Sequence, residues 1–288
     1  MTILLAGCGD LGTEAALRFA ALGHRVVGWR RSPGNLPAAI EGVAADLSAA
    51  GLPPVPADTS AVVVAVAVAA DASTEEAYRA AYVQGLSNVL NALERDGVAP
   101  RRVLFVSSTA VYGDAGGGWV GERTEPDPGG FSGRVLLEAE ELLRARLQGT
   151  GTQGISLRLG GIYGPGRTRL IDQVRGGSAV VPGDVRYTNR IHRDDAAAAI
   201  VHLATMDAEP AGTYIGVDND PADLGSVLRF LANALELSPP PVGDAGPARA
   251  GNKRCSNSLL RSTGFEFSFP TFREGYRDIL AGNGVRHP

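Results

Sequence analysis

The chain has 288 residues, of which 44% are hydrophobic and 20% charged, a composition typical of one large folded domain or of one domain with a small lobe. The formal net charge of −4 argues against a nucleic-acid partner, since such proteins need a basic surface to neutralise phosphates. The longest apolar run, residues 61–70, is too short to cross a bilayer and residues 1–12 lack the basic start of a signal peptide, so we expect a cytoplasmic protein with no membrane partner.

Strands and helices alternate in the predicted secondary structure. The predicted elements, in chain order, are a strand at 3–6, a helix at 11–22, strands at 25–29 and 62–68, a helix at 74–95 capped by Ser73 or Thr74, a strand at 102–107, a helix at 132–148, a strand at 155–159, a helix at 194–206, a strand at 213–217 and a helix at 222–235. Segment 238–251 is predicted as a loop, and segment 164–190 as a loop-rich insertion. Because parallel strands need crossover connections, this order predicts an α/β fold with a doubly wound parallel Rossmann sheet.

A glycine-rich turn joins the first strand to the first helix and reads GCGDLG. The pattern G-x-G-x-x-G between a strand and a helix predicts a dinucleotide site. Gly7 permits the tight turn, Gly9 lets the backbone approach a pyrophosphate, and Gly12 lets helix and strand pack closely. We therefore expect these glycines, with Asp10 and Leu11 at the helix N-terminus, to bind the cofactor. The alternative is a tight turn that holds no ligand.

The residues that end the second predicted strand indicate which dinucleotide binds. An NAD site carries Asp or Glu here, to hold the ribose 2′-hydroxyl. This chain has Arg30 and Arg31 instead, and guanidinium groups suit a 2′-phosphate. The sequence predicts NADP in preference to NAD, with solvated loop charges as the alternative.

Several further motifs carry a family resemblance. They read SSTAVYG at 107–113, RLGGIYGPG at 158–166, IHRDD at 191–195 and FPTFREG at 269–275. In this order they resemble the atypical extended short-chain dehydrogenase/reductases of the NAD-dependent epimerase/dehydratase superfamily, and among these the YeeZ-like group. The resemblance implies a small-molecule substrate and a homodimer formed through the helices at 74–95 and 132–148.

The same resemblance extends the cofactor site and divides the chain. Asp46 and Leu47 lie in a segment similar to the family's acidic, adenine-contacting stretch, and we also assign Ala65 to this site. Residues 1–163 and 188–218 are then the Rossmann domain. Residues 164–187 and 219–288 form a small substrate-capping region towards the C-terminus.

The chain departs from the family at the catalytic pair. The family uses Tyr-x-x-x-Lys, in which lysine depresses the pKa of the tyrosine and holds the nicotinamide ribose. Aligned on Glu138, those two positions are Gly130 and Arg134 in this sequence. The chain's only lysine, Lys253, follows Arg249 by four residues, so the pair occurs nowhere and its mechanism is not carried over.

Three residues are the candidates for catalysis. Ser108 matches the family's serine and is expected to donate to a substrate oxygen; the alternative is a hydroxyl bonded to nearby backbone. Arg134 can supply lysine's ribose contact and positive charge, but its pKa is too high for proton exchange; the alternative is a surface helix charge. Tyr163 is expected to reach the same crevice or to pack beside the cofactor.

Three other polar residues near these motifs have structural interpretations. We expect His192 to brace a loop, Asp195 to cap or favour a helix start, and Glu122 to be a solvated charge. The scattered histidines and two cysteines predict no metal site.

The arginine distribution bears on the substrate. Residues 164–193 contain six arginines against two aspartates, which predicts an anionic ligand such as a nucleotide-sugar or a phosphorylated metabolite. With lysine almost absent, the alternative is that these arginines only solubilise the surface. Two functions stay open: an NADP-dependent oxidoreductase, epimerase or dehydratase with altered acid/base groups, and a non-catalytic NADP-binding sensor or regulatory protein.

Overall fold

Seven parallel strands form the centre of the computed structural model, which describes residues 1–68, 74–246 and 251–287. The strands of the molecule are β1 (Thr2–Ala6), β2 (Arg25–Arg30), β3 (Glu41–Ala44), β4 (Thr59–Val64), β5 (Arg102–Ser108), β6 (Trp119–Val120), β7 (Gln153–Leu159), β8 (Gly161–Tyr163), β9 (Val181–Pro182), β10 (Tyr187–Thr188), β11 (Arg190–His192), β12 (Thr213–Gly216), β13 (Ala222–Asp223), β14 (Val242–Gly243) and β15 (Arg254–Cys255). The central sheet has the order β12-β7-β5-β4-β1-β2-β3. This is the doubly wound Rossmann arrangement that the sequence predicts.

Helices cover both faces of this sheet. They are α1 (Asp10–Ala21), α2 (Glu75–Tyr78), α3 (Gly85–Arg95), α4 (Phe131–Leu147), α5 (Arg169–Arg175), α6 (Arg193–Thr205), α7 (Leu224–Ala234), α8 (Ser258–Ser262) and α9 (Phe272–Leu280). Helices α1 and α6 pack with Ile3, Leu5 and Val63 on one face, and α3 and α4 pack with Leu4 and Val62 on the other. Strands buried on both faces are apolar at successive positions, and the continuous apolar run in β4 reflects this. No described helix is long and apolar enough to cross a membrane.

Three predicted elements differ from the structure. The strand predicted at 62–68 is β4, which ends at Val64, while Ser73 lies outside the described residues. The helix predicted at 74–95 is divided by a π-helical segment, Arg79–Gln84, and Thr74 caps its start by accepting from the Ala77 amide. The helix predicted at 222–235 begins at Leu224, because the two residues before it pair with β10.

A second, smaller hydrophobic core lies away from the sheet. It joins α5, α7 and α9 through Ile171, Val227, Leu231 and Phe272. This core lies within the segments predicted as the capping region, apart from Tyr163, which falls in the segment predicted as Rossmann domain. Within 219–288, however, Leu260 and Phe265 pack into the core of the Rossmann sheet.

Candidate cofactor and substrate site

The glycine turn has the geometry that a dinucleotide phosphate requires. Gly7 has φ +93°, and a Cβ there would lie 2.6 Å from the Ala65 carbonyl oxygen. A Cβ on Gly12 would lie 2.7 Å from the Gly7 carbonyl oxygen, whereas one on Gly9 would meet nothing within 4 Å. Gly9 precedes α1, whose start no side chain caps. The turn is therefore tightly packed where Gly7 faces Ala65, and open at Gly9, beside the first N–H groups of α1. These residues fit a pyrophosphate.

The predicted adenosine end of the site lies along the same edge of the sheet. Arg30 ends β2 and is half-buried, and Arg31 is exposed. The hydroxyl and amide of Ser48 hold the pKa of Asp46 below its usual value, and the charge of Arg31 adds a smaller contribution. Leu47 is buried beside this carboxyl. Arg31 and Asp46 thus lie at the same end of the predicted site.

A cleft of about 670 Å³ lies between the sheet and the smaller core. Residues that line it include Ser108, Tyr163, Arg167, Arg169, Arg190 and Lys253. In open parallel sheets, ligands bind at the carboxyl ends of the strands, and Ser108 is the last residue of β5. Its Oγ accepts a 3.2 Å hydrogen bond from the Ala110 amide, which leaves the hydroxyl proton to be donated.

Lys253 is a site residue that the sequence motifs do not indicate. It is buried, and its Nζ donates a 2.9 Å hydrogen bond to the Tyr112 carbonyl oxygen. Burial lowers the pKa of this amine. The signal in the sequence is only that it is the chain's one lysine. Lys253 and Ser108 lie far apart along the chain, and the fold brings both to the wall of the same cleft.

Tyr163 lines the cleft but has its hydroxyl in the smaller core. The ring stacks on Tyr276, with centroids 4.6 Å apart, and the hydroxyl lies where a Cβ on Gly275 would be. Burial raises the pKa of Tyr163, with a further contribution from the Asp218 carboxylate. The phenol is therefore held neutral, which suits packing better than proton exchange.

Arg134 does not line the cleft. Its side chain is 56% exposed on the first turn of α4, with Nη2 3.9 Å from a carboxylate oxygen of Glu75. Gly130 is the residue before this helix. The two positions that align with the family's Tyr and Lys thus carry a glycine and a surface arginine.

The other three polar residues all make specific contacts. His192 Nδ1 accepts from the Asp194 amide at 3.3 Å, so this residue caps the start of α6 where the sequence predicts that it braces a loop. Asp195 lies in the first turn of α6, where the helix dipole favours a carboxylate, as predicted. The interpretation of it as a helix cap is wrong, because its carboxylate accepts from the amides of Ser268 and Phe269, each at 2.9 Å.

Glu122 is not a solvated charge either. Its Oε1 accepts from the Ile215 amide at 2.9 Å, on the open edge of β12. An edge strand exposes unpaired amides, and this carboxylate satisfies one of them.

Comparisons with known proteins agree with this geometry. The profile of the NAD dependent epimerase/dehydratase family matches residues 3–216. Protein YeeZ of Escherichia coli K12 is 33% identical over 171 residues, which are 59% of this chain and 59% of that protein. The match thus spans less than two thirds of the length of this curated relative.

Two solved structures share the whole fold. A protein of Methylobacillus flagellatus assigned as an NAD-dependent epimerase/dehydratase is 38% identical, with a TM-score of 0.78 over 98% of each chain. The UDP-glucose 4-epimerase of Thermus thermophilus, solved with NAD, is 22% identical, with a TM-score of 0.80 over 96% of this chain and 97% of that chain. At that identity the second likeness concerns the fold alone.

Proposed function

The chain belongs to the NAD-dependent epimerase/dehydratase family, and we propose on that premise that it is an NADP-dependent enzyme acting on an anionic small molecule. The observation that carries the proposal is a cleft with hydroxyl, amine and guanidinium groups in its wall, one of which, Arg167, bonds Asp10 in the glycine turn. The reaction is a reduction, an epimerisation or a dehydration, since all three use one carbonyl/alcohol interconversion.

NADP is proposed over NAD because of charge at the adenosine end. Arg30 ends β2 and Arg31 follows it, at the place where an NAD site has a carboxylate. A 2′-phosphate there would gain charge-assisted hydrogen bonds.

The acid/base work is proposed for Ser108 and Lys253. When bound, the nicotinamide cofactor supplies the hydride acceptor or donor. Ser108 Oγ donates a hydrogen bond to the substrate oxygen, and Lys253, once deprotonated to its neutral form, takes the hydroxyl proton as an alcohol becomes a carbonyl. The lowered pKa of Lys253 favours this neutral form, whereas Tyr163 shapes the cleft and Arg134 lies outside it.

An anionic substrate is proposed from the guanidinium groups of the cleft. Arg169 is exposed where the chain enters α5, and Arg190 is buried with Nη1 unbonded within the described part of the chain. Arg186 also lines the cleft, but it bonds Asp184 and the Gly246 carbonyl. The nucleotide-sugar class is the one named for the Thermus thermophilus epimerase, and two arginines suit its diphosphate.

One observation favours a second candidate, a non-catalytic NADP-binding sensor. The positions of the family's catalytic tyrosine and lysine hold Gly130 and Arg134, which cannot exchange a proton at neutral pH. A sensor would bind NADPH, change its cleft and turn over nothing.

The test of the proposed function has two stages. Titration of the chain with NADPH, followed by nicotinamide fluorescence, should show saturable binding, and no binding would reject both candidates. UDP-glucose, UDP-glucuronate and simple phosphorylated alcohols are then tested as substrates. Absorbance at 340 nm detects net oxidation or reduction, and product analysis by mass spectrometry and NMR detects dehydration and epimerisation, so that together they separate enzyme from sensor. Turnover that disappears in Ser108→Ala supports the enzyme.

The family resemblance also leads us to propose a homodimer through α2, α3 and α4. These helices already contact one another within the chain, through ion pairs such as Arg146 with Glu94. Light scattering at micromolar concentration should give twice the chain mass. A monomer there would reject the proposal.

A further inference from the structure

One buried carboxylate ties the glycine turn to the capping loop. Asp10 is the first residue of α1, and its side chain is 8% exposed. Its Oδ2 accepts a 2.7 Å bond from Arg167 Nε. Its Oδ1 accepts 3.1 Å bonds from Arg193 Nη1 and from the His287 amide. Burial alone would raise the pKa of Asp10, but the bonds from Arg167 and His287 and both arginine charges outweigh it, and the pKa lies below its usual value.

An ionised carboxylate in this position opposes the ligand that the turn fits. Two unit charges of the same sign at 4 Å repel by about 4 kcal/mol where the effective dielectric constant is about 20. Asp10 therefore weakens pyrophosphate binding unless a cation paired with it also reaches the phosphates.

The two arginines bound to Asp10 differ in what else they bind. Arg193 is 2% exposed and also bonds the Asp194 carboxylate at 2.6 Å and the Val285 carbonyl at 2.9 Å. Arg167 is 35% exposed, lines the cleft, and within the described residues uses only Nε of its guanidinium. Its two terminal nitrogens are thus left for a ligand.

The loop holds Arg167 in a defined place. The Arg167 amide donates to the Gly164 carbonyl at 2.9 Å, closing a tight turn in which Gly166 has φ +68°. Arg286 donates to the Gly166 carbonyl at 3.1 Å, and Gly284 lies against Pro165. The C-terminal segment therefore fixes the turn before any ligand arrives, which lowers the entropy lost on binding.

We propose that Arg167, a residue of the capping loop, binds the cofactor pyrophosphate, and that Asp10 is the positioning residue that aims it. Asp10 takes Nε and leaves the two terminal nitrogens to form paired hydrogen bonds with phosphate oxygens. The inference rests on the proposed function and deepens it: the cofactor site is completed by the lobe that caps the substrate.

The first test compares two arginines of the capping region, Arg167 and Arg175. Arg167→Gln should weaken NADPH binding by about ten-fold, the value of one charge-assisted contact. Arg175→Gln, which removes the same charge from an exposed position at the end of α5, should change it less than two-fold. Equal affinity for NADPH in Arg167→Gln and the native chain would overturn the proposal.

A cofactor fragment shows which group Arg167 contacts. Adenosine 2′-monophosphate lacks the pyrophosphate, so its dissociation constant should be the same for Arg167→Gln and the native chain. An equal weakening of this fragment and of NADPH would mean a general loss of structure, and would also overturn the proposal.

The sign of the Asp10→Asn effect tests the positioning role. On charge alone, removing a carboxylate beside a pyrophosphate strengthens binding. We expect NADPH binding to weaken instead, and the same change made in Arg167→Gln to cause no further loss. Stronger binding in Asp10→Asn would overturn the positioning role. Failure of the native chain to bind NADPH at all rejects the proposed function, a result distinct from each of these.

Discussion

We expect the two arginines at the end of β2, Arg30 and Arg31, to determine the preference for NADP over NAD. Arg30→Ala/Arg31→Ala should weaken NADPH binding by on the order of ten-fold for each charge-assisted hydrogen bond removed from the 2′-phosphate, and leave NADH binding unchanged. Arg25→Ala is the matched control, since Arg25 lies at the opposite end of β2 and pairs with Glu41. Fluorescence titration of both cofactors measures this, and equal affinities in the native chain would contradict it.

Lys253 gives the molecule a single ε-amine whose pKa can be measured directly. Labelling with [ζ-¹⁵N]lysine yields one resonance, and we expect it to titrate below the ordinary lysine pKa of about 10.4 because burial disfavours the charged form. The resonance should be absent in Lys253→Met, which assigns it to Lys253. A midpoint at or above the ordinary value would remove the neutral amine from the proposed chemistry.

The same shift has a defined effect on stability. With the folded-state pKa lowered, the unfolded chain binds more protons between that pKa and the unfolded value of about 10.4. The free energy of unfolding therefore gains a contribution that rises with pH across this window. That contribution should be absent in Lys253→Met.

The residues of the site divide by the kind of signal that reveals them. Gly7, Gly9 and Gly12 are predictable because the turn imposes a local spacing on glycine. Lys253 and the bond between Asp10 and Arg167 are not, since they join residues more than a hundred positions apart and no periodic pattern encodes them. Arg134 shows the opposite case, in which alignment on a motif points to a position whose side chain is largely exposed.

At the scale of elements, length decides what the sequence reveals. The buried central strands are predicted because several apolar residues occur in succession. Two-residue strands such as β9 and β14 carry no periodicity, so the sequence predicts only loop there. The π-helical segment Arg79–Gln84 likewise keeps a helical pattern, and only its hydrogen bonds distinguish it.

A buried ion pair joins two of these elements. Arg158 of β7 and Glu140 of α4 are 6% and 7% exposed, with Nη2 and Oε2 2.6 Å apart. Ser107 also donates to Glu140, and Arg158 donates to the Tyr112 hydroxyl at 2.6 Å. Every charged atom of the pair is therefore used, and loss of one partner would leave the other charge buried.

Glu140→Gln should lower the free energy of unfolding by about 3 kcal/mol, the usual cost of an unpaired buried charge. Urea unfolding followed by circular dichroism measures the change. Glu138→Gln, on the exposed side of the same helix, is the control and should have a much smaller effect. Equal losses in the two variants would mean that the buried pair stabilises no more than a surface pair.

At the scale of the whole molecule, the charge of the cleft is opposite in sign to the net charge of the chain. The chain carries a net charge of −4, yet the cleft is lined by Arg167, Arg169, Arg186 and Arg190. Field lines concentrate in a cleft with low-dielectric walls, so this arrangement attracts anions to a protein that repels them elsewhere. We assign Arg167 to the cofactor and Arg169 and Arg190 to the substrate.

Thermal unfolding of the NADPH-saturated chain tests that division. A ligand that binds only the folded state at one hundred times its dissociation constant adds about 2.7 kcal/mol of stability. We therefore expect UDP and UDP-glucuronate to raise the melting temperature and uridine and glucose to leave it unchanged. Arg169→Gln should reduce the rise, whereas Arg175→Gln, on the same short helix but outside the cleft, should retain it. An equal rise with neutral uridine would show that the arginines serve solubility, and the substrate would then be neutral.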